Sequence, residues 1–269
     1  MELRAFIVTL AGVICVAFLA YGYFYWKDKT KVSLNSTVVK SANIEPETKK
    51  TNIKGENENV NLKVLEYAEN WPEEAQESFR LALENDEKYK IAIVGSQALG
   101  GKDGWADMLK KELEATYGEN ALSVVLYQYD DVKSDQFIQN GQMEEIADGE
   151  PDLVLFEPFT LNDNGKIAVK KNHENIETFM DAMEEANSSA VVILQPTHPV
   201  HKGPIYAGQV KSLKEFANDQ DIPYLDHWSK WPDRMNDEIK DYLLEDQSAS
   251  NEKGNELWYE YLREYFVAE

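Results

Sequence analysis

Polar residues that can do chemistry stand directly after apolar runs of this chain. Ser96 follows the run at 91–94 and opens the segment SQALGGKDGW, and Asn162 follows the run at 153–159. A serine hydroxyl at the end of a strand is a nucleophile when a neighbouring base takes its proton, and amide N–H groups stabilise the oxygen that becomes charged. Capping of a tight strand-to-helix turn is the alternative role for Ser96. The residues therefore predict either a nucleophilic site or a structural turn.

Three histidines are the candidate bases for such a serine. His198 and His201 lie in QPTHPVHKGP after the apolar run at 191–195, and His227 lies in LDHWSKW. Imidazole is the side chain that accepts a proton most readily near neutral pH. The alternative is structural: the first two lie in a proline-rich loop and the third packs beside tryptophans. His198 and His201 are spaced to share a metal ion, but Pro199 disfavours a helix and the sequence supplies no third ligand, so neither a metal nor a cofactor is predicted.

Short apolar runs alternate with amphipathic stretches from residue 90 onward. Such alternation is typical of parallel strands joined by crossover helices, which cover both faces of the sheet. We therefore predict an α/β fold with a flavodoxin-like, doubly wound, five-stranded parallel sheet, whose functional groups lie at the carboxyl ends of the strands. One further helix is predicted over 62–86. The predicted strands are 91–94, 122–129, 153–159, 191–195 and 222–228, and the predicted helices lie near 104–117, 134–147, 173–186, 206–218 and 255–267.

The blocks around Ser96 and Asn162 resemble the first and third sequence blocks of the SGNH, or GDSL-type, hydrolases. In VGSQALGGKDGW, Ser96 stands for the family's serine, although Gly95 stands where the family usually has aspartate. FEPFTLNDN keeps Asn162 and Asp163 of the family's G-x-N-D block. The resemblance implies that Ser96 is the nucleophile and that the Asn162 side chain donates to the oxyanion. Ser134 is the nearest counterpart of the glycine whose backbone N–H joins that oxyanion hole.

The last block departs from the family at its base. In YLLEDQSASNEKGNELW, Asp246, Asn251 and Gly254 keep the register of the D-x-x-H-P-N pattern, while Ala249 and Ser250 replace the histidine and the proline. The resemblance implies a serine ester hydrolase that needs no cofactor and acts on an ester-bearing small molecule or cell-envelope substrate. General-base assistance is worth about 10² to 10⁴ in rate, so the missing histidine raises an alternative. That alternative is an inactive relative that binds an envelope glycan or a protein partner, and a third hypothesis is an interaction protein that uses its acidic surface.

Residues 5–26 form an uncharged apolar segment. At about 1.5 Å per residue, this segment is long enough to cross a hydrocarbon core of about 30 Å. It predicts a single transmembrane anchor after a short tail at 1–4, followed by a polar linker at 27–60 and a folded domain at 61–269. A cleaved signal peptide is the alternative, which the length of the run disfavours. We expect the domain on the extracytoplasmic side of the cell membrane, although the lysines that follow the segment favour the opposite orientation.

Composition limits the partners and the chemistry further. The formal net charge of −22 argues against nucleic acid as a partner, because phosphate binding needs a basic face. The only cysteine, Cys15, lies in the apolar segment, which excludes an intrachain disulfide and a cysteine nucleophile in the domain. The predicted partners are the membrane, from the apolar segment, and an ester-bearing ligand, which the resemblance implies.

Overall fold

The computed structural model describes residues 63–269. The predicted tail, anchor and linker at 1–60 lie outside the described residues, so these three assignments stay predictions. Within residues 63–269, no helix is both long enough and apolar enough to cross a membrane.

Four parallel strands form the sheet, in the order β2–β1–β3–β4. Ile93 pairs with Leu126 on one side and with Leu155 on the other, and Leu155 pairs with Ile193. Both central strands are buried along almost their whole length, as expected when helices cover both faces. The predicted α/β fold with a parallel sheet is confirmed, and the strand order is that of flavodoxin-like sheets. The strands are β1 (Tyr89–Gly95), β2 (Leu122–Gln128), β3 (Leu153–Phe156) and β4 (Val191–Leu194).

Two cores form because successive strand residues point to opposite faces of the sheet. Ile91 and Ile93 belong to a core that includes residues of α1, α2 and α8, while Ala92 and Val94 belong to a second core with α3, α4, α6 and α7. The helices are α1 (Glu73–Glu84), α2 (Trp105–Tyr117), α3 (Ser134–Gln139), α4 (Gln142–Ala147), α5 (Thr160–Asp163), α6 (Val169–Ala186), α7 (Pro204–Asp219) and α8 (Glu252–Phe266). Short 3₁₀ helices lie at Gln97–Leu99, His227–Lys230 and Asp237–Tyr242.

The prediction of a fifth strand at 222–228 was wrong. This segment contacts the sheet through a single parallel bridge between Leu194 and Tyr224. The Leu194 N–H donates to Pro223 O at 2.8 Å, and the Leu225 N–H donates to Leu194 O at 2.8 Å. Proline has no N–H to extend the ladder, and β4 ends at Leu194, so the pairing stops after one residue.

The predicted helix over 62–86 is two helices. A short helix at 63–67 precedes α1, and Pro72 stands at the amino-terminal cap of α1. Proline fits there because backbone N–H groups in the first turn of a helix have no acceptor within the helix, so the N–H that proline lacks is not needed. Trp71, between the two helices, is buried and donates from Nε1 to Phe266 O at 3.0 Å. This segment therefore packs against the carboxyl-terminal end of the domain.

Candidate functional site

Ser96 stands at the carboxyl end of β1, as predicted, but its hydroxyl is enclosed. The side chain is 1% exposed, and its Oγ accepts the Ala98 N–H at 3.2 Å, which caps the first 3₁₀ helix. The Ser96 N–H donates to Glu157 Oε2 at 2.9 Å. Gly95 allows this approach, because a Cβ there would lie 2.9 Å from the Cβ of Glu157. The structure therefore gives Ser96 the turn-capping contacts that were the alternative to a catalytic role.

Glu157 is a buried carboxyl group that sequence analysis missed. Its side chain is fully buried at the end of β3, where Oε2 accepts the Ser96 N–H and Oε1 accepts the Thr197 hydroxyl. Burial raises the pKa of Glu157, because the charged form loses its hydration, and these donors only partly offset that loss. The carboxyl group thus ties the ends of β1, β3 and β4 together. The signal in the sequence was an acidic residue inside the apolar run LVLFEPF.

The side chain that meets the Asn162 amide is that of Gln97. Gln97 Nε2 donates to Asn162 Oδ1 at 2.9 Å, and Asn162 Nδ2 donates to Gln97 Oε1 at 3.2 Å. Asn162 Nδ2 also donates to Val132 O at 2.8 Å, so both of its N–H groups have acceptors. The Asp131 N–H adds a second donor to Gln97 Oε1 at 3.1 Å. Among the described hydrogen bonds, Asn162 is thus paired with Gln97, and the predicted roles of Ser96 and Asn162 stay predictions.

Sequence analysis missed Gln97, although the family's own motif could have identified it. Placing the glycine of Gly-Asp-Ser-Leu on Gly95 puts Ser96 at the aspartate and Gln97 at the serine. In the structure, the Gln97 side chain bonds to Asn162, whereas Ser96 is buried.

Ser134 lies in a buried polar network and does not offer a free N–H. Its N–H donates to Asp163 Oδ1 at 3.0 Å, and its hydroxyl donates to Asp163 Oδ2 at 2.5 Å. Asn172 donates to the same carboxylate at 2.9 Å, and Asn175 donates to the Ser134 hydroxyl at 2.9 Å. Desolvation raises the pKa of Asp163 despite these donors. The backbone N–H that shares an acceptor with the Asn162 amide is instead that of Asp131, since both donate to Gln97 Oε1.

The predicted Asp246 frame is present without an imidazole. Asp246 is exposed, and its Oδ1 accepts the Ser248 N–H at 3.0 Å and the Ser248 hydroxyl at 2.7 Å. These bonds hold the pKa of Asp246 below its usual range. The Ala249 carbonyl accepts the Leu244 N–H at 3.0 Å, and Asn251 caps α8 by accepting the N–H of Gly254. The loop therefore keeps its shape through local hydrogen bonds.

His198 and His227 are both fully buried. His227 stacks on Trp258 with ring centroids 4.0 Å apart, and its two nitrogens contact Pro196 O and the Trp231 indole N–H. His198 Nε2 lies 3.1 Å from Gln247 O, while its buried Nδ1 has no hydrogen-bond partner among the described residues. Burial lowers the pKa of His198 to about 4 and that of His227 to about 3. Both rings are therefore neutral near pH 7.

His201 lies at the rim beside the Asp246 loop. Its N–H donates to Gln247 Oε1 at 2.7 Å, and its Nε2 lies 3.2 Å from Asp237 Oδ1. In the described part of the chain, the hydrogen bonds of His198, His201 and His227 thus reach groups other than the Ser96 hydroxyl. Among residues 63–269, no group of three or more histidine, cysteine, aspartate or glutamate side chains is arranged to hold a metal ion.

No protein-family model and no curated protein sequence matches the chain. Solved structures do match it. A putative GDSL-like lipase from Parabacteroides merdae has a TM-score of 0.58 at 12% identity, covering 66% of this chain and 95% of that one. The esterase EstA from Pseudoalteromonas sp. has a TM-score of 0.51 at 18% identity, covering 66% and 96%. Axe2, an acetylxylan esterase from Geobacillus stearothermophilus, has a TM-score of 0.54 at 11% identity, covering 66% and 94%.

The matched structures are spanned almost completely, so the likeness extends over a whole domain. At these identities it concerns the fold and carries no residue roles across. The resemblance seen in the sequence blocks is thereby confirmed at the level of the fold: the chain has an SGNH/GDSL hydrolase-like fold.

Proposed function

We propose that this protein is a non-hydrolytic relative of the GDSL esterases that binds an acyl-bearing ligand of the cell envelope instead of cleaving it. The observation that carries the proposal is the contact between Gln97 and Asn162. A carboxamide stands where a nucleophilic hydroxyl would have to face the oxyanion donor. A carboxamide oxygen is too weak a nucleophile to form an acyl-enzyme, so the covalent route has no starting group at this position.

Ser96 and Asp246 do not restore the covalent route through an acyl-enzyme. Ser96 has a hydroxyl, but it is enclosed and already accepts the Ala98 N–H. Ala249 leaves Asp246 without an imidazole to orient, and the carboxylate is held by Ser248. Without a general base, serine attack loses a factor of about 10² to 10⁴ in rate. Binding without hydrolysis is the activity that these contacts favour.

The ligand class follows from the fold and the predicted anchor. The matched structures include lipases, esterases and an acetylxylan esterase, which makes an acylated lipid or glycan the natural ligand class for the carboxyl-terminal edge of the sheet. A transmembrane anchor at 5–26 and a linker at 27–60 would hold the domain near such molecules outside the cytoplasmic membrane. Alkaline carbonate extraction tests the anchor: the full chain should stay in the membrane pellet, and its release into the supernatant would contradict the proposal.

Ester hydrolysis through Ser96 is the second candidate function. The esterases among the matched structures favour it, and Asn162 would be its oxyanion donor. His198 is a candidate base for it, because its Nδ1 has no hydrogen-bond partner among the described residues. This candidate requires the Ser96 hydroxyl to leave its capping position and become exposed.

Labelling with a fluorophosphonate probe separates the two candidates. The full chain in detergent should show no labelling, and its turnover of p-nitrophenyl acetate should equal that of Ser96→Ala. Labelling of the wild type that maps to Ser96 and disappears in Ser96→Ala would establish the second candidate and refute binding without hydrolysis.

The double variant Gln97→Ser, Ala249→His is the positive control. It places a hydroxyl against Asn162 and an imidazole in the Asp246 frame. We expect labelling at position 97 and ester turnover about 10² above the wild type, since a nucleophile and its base are restored together. A folded double variant that shows neither labelling at position 97 nor increased ester turnover would contradict the assignment of position 97 as the serine position.

A further inference from the structure

The oxygen of the Gln97 side chain accepts two converging N–H groups. Asn162 Nδ2 donates to Oε1 at 3.2 Å and the Asp131 backbone N–H donates at 3.1 Å. One donor comes from α5 after β3, and the other comes from the loop after β2. Two donors from separate elements on one oxygen form a site built for a carbonyl group.

Both donors are held in place by their own surroundings. Asn162 Nδ2 is oriented by its second bond to Val132 O at 2.8 Å. Asp131 has a φ of 56°, a left-handed conformation that a residue other than glycine seldom adopts. That turn directs its N–H towards Gln97. The donor pair therefore belongs to the fold and does not depend on Gln97 for its orientation.

Charges around the donors favour an uncharged ligand. The backbone donor belongs to Asp131, and the preceding residue, Asp130, is also acidic. Lys133, the one basic residue of this loop, is paired with Asp135, at 3.8 Å between Nζ and Oδ1. An anion would have to approach these carboxylates, whereas a neutral carbonyl oxygen would not. The group that occupies the site now, a carboxamide, is itself neutral.

We propose that Gln97 is an internal ligand of a neutral acyl site, and that an N-acetyl or O-acetyl group of an envelope glycan competes with its carboxamide for the same two donors. This inference rests on the proposed binding function and names its ligand chemistry. Gln97 is only partly buried, in a one-turn 3₁₀ helix, so its side chain can rotate away while Ser96 keeps its cap. Removal of the side chain should open the site permanently.

Two variants separate the hydrogen bonds of Gln97 from its volume. Gln97→Ala removes both, while Gln97→Met keeps a side chain of similar length that accepts no strong hydrogen bond. Gln128→Ala is the matched control, since Gln128 binds Gly101 and Asp130 at the same edge of the sheet. The readout is the Asp131 amide resonance of the full chain in detergent micelles, labelled with ¹⁵N-aspartate.

In both Gln97 variants, the Asp131 amide should shift and should exchange with solvent roughly two- to tenfold faster than in the wild type, as expected for the loss of one hydrogen bond. Gln128→Ala should leave the exchange rate of this amide unchanged, because Gln128 bonds to the Asp130 side chain and not to the Asp131 N–H. N-acetylglucosamine should shift this amide in Gln97→Ala at concentrations roughly tenfold lower than in the wild type, because two internal hydrogen bonds no longer compete. Gln97→Met should gain less of this binding than Gln97→Ala, because its side chain forms no competing hydrogen bonds but still fills the site.

Several results would overturn the inference. An Asp131 amide that is unchanged in Gln97→Ala would show that Gln97 does not fill the site. N-acetylglucosamine binding that is equal in the wild type and Gln97→Ala, or absent from both, would refute the competition. Glucose or acetate binding as well as N-acetylglucosamine would refute a neutral acyl site. Ester turnover by the wild type would refute the proposed function alone, since it leaves the Asp131 measurement intact.

Discussion

Acidification should destabilise the domain through the buried ring of His227. His227 is fully buried, stacked on Trp258 and hydrogen-bonded at both nitrogens, which holds its pKa at about 3. In the unfolded chain a histidine has a pKa of about 6.5, so below that pH the unfolded state binds a proton that the folded state does not bind. A depressed pKa contributes stability that is present above about pH 6.5 and is lost as the pH falls towards about 3.

The size of the stability loss follows from the pH range between the pKa of His227 in the unfolded chain and its pKa in the folded domain. Each pH unit inside it is worth about 1.4 kcal/mol per proton, so His227 should account for a loss of about 2 kcal/mol between about pH 7.5 and about pH 5. His198, with a pKa of about 4, should account for a loss of about 2 kcal/mol over the same interval. The raised pKa values of Glu157 and Asp163 act in the opposite direction, so the total slope alone does not identify the histidines.

Comparison of variants isolates each histidine, because the carboxyl groups are the same in all of them. Guanidinium unfolding, followed by tryptophan fluorescence, gives the free energy of unfolding at both pH values. His227→Gln and His198→Gln should each be less stable than the wild type near pH 7.5 but should lose about 2 kcal/mol less on acidification. His201→Gln is the comparison for a less buried ring, and because desolvation lowers the pKa of His201 too, it should change the pH dependence in the same direction. A His227→Gln variant with the full wild-type pH dependence would refute the argument that the buried ring stays neutral.

Two further predictions concern packing and buried charge. Glu157→Gln should gain stability relative to the wild type as the pH rises from about 4.5 to about 8. The raised pKa of Glu157 stabilises the folded wild type below the unfolded-state pKa of about 4.3, and this stabilisation is lost as the pH rises. Urea unfolding at both pH values gives the two free energies of unfolding, and a difference between variant and wild type that does not change with pH would contradict the prediction. Gly254→Ala should cost about 1 to 3 kcal/mol, since its Cβ would lie 2.2 Å from Tyr242 O. Gly208→Ala, in open space on α7, should gain about 0.5 to 1 kcal/mol instead, and equal thermal shifts for the two would refute the steric argument.

Periodicity predicted the fold well because each of the four strands contains a short apolar run. The exception was 222–228, which has the composition of a strand but pairs at Tyr224 alone. That pairing is limited by the length of β4, which ends at Leu194. The sequence of 222–228 carries no information about the length of the strand beside it. The candidate site was less predictable for a similar reason. Whether Ser96 or Gln97 faces Asn162 depends on one residue of register after β1, and only the burial of Ser96 decides it.

The family blocks persist here because most of their residues hold the loops of the fold. Asp163 binds the Ser134 N–H, Asn162 binds Val132 O, and Asn251 caps α8. Replacement of any of these would leave a donor or acceptor without its partner, at about 1 to 3 kcal/mol for a buried group. A base at Ala249 has no such role, because its backbone alone bonds to Leu244 in this loop. A chain that resembles these blocks can therefore keep the fold without a base at position 249, so the resemblance predicts the architecture and does not by itself predict activity.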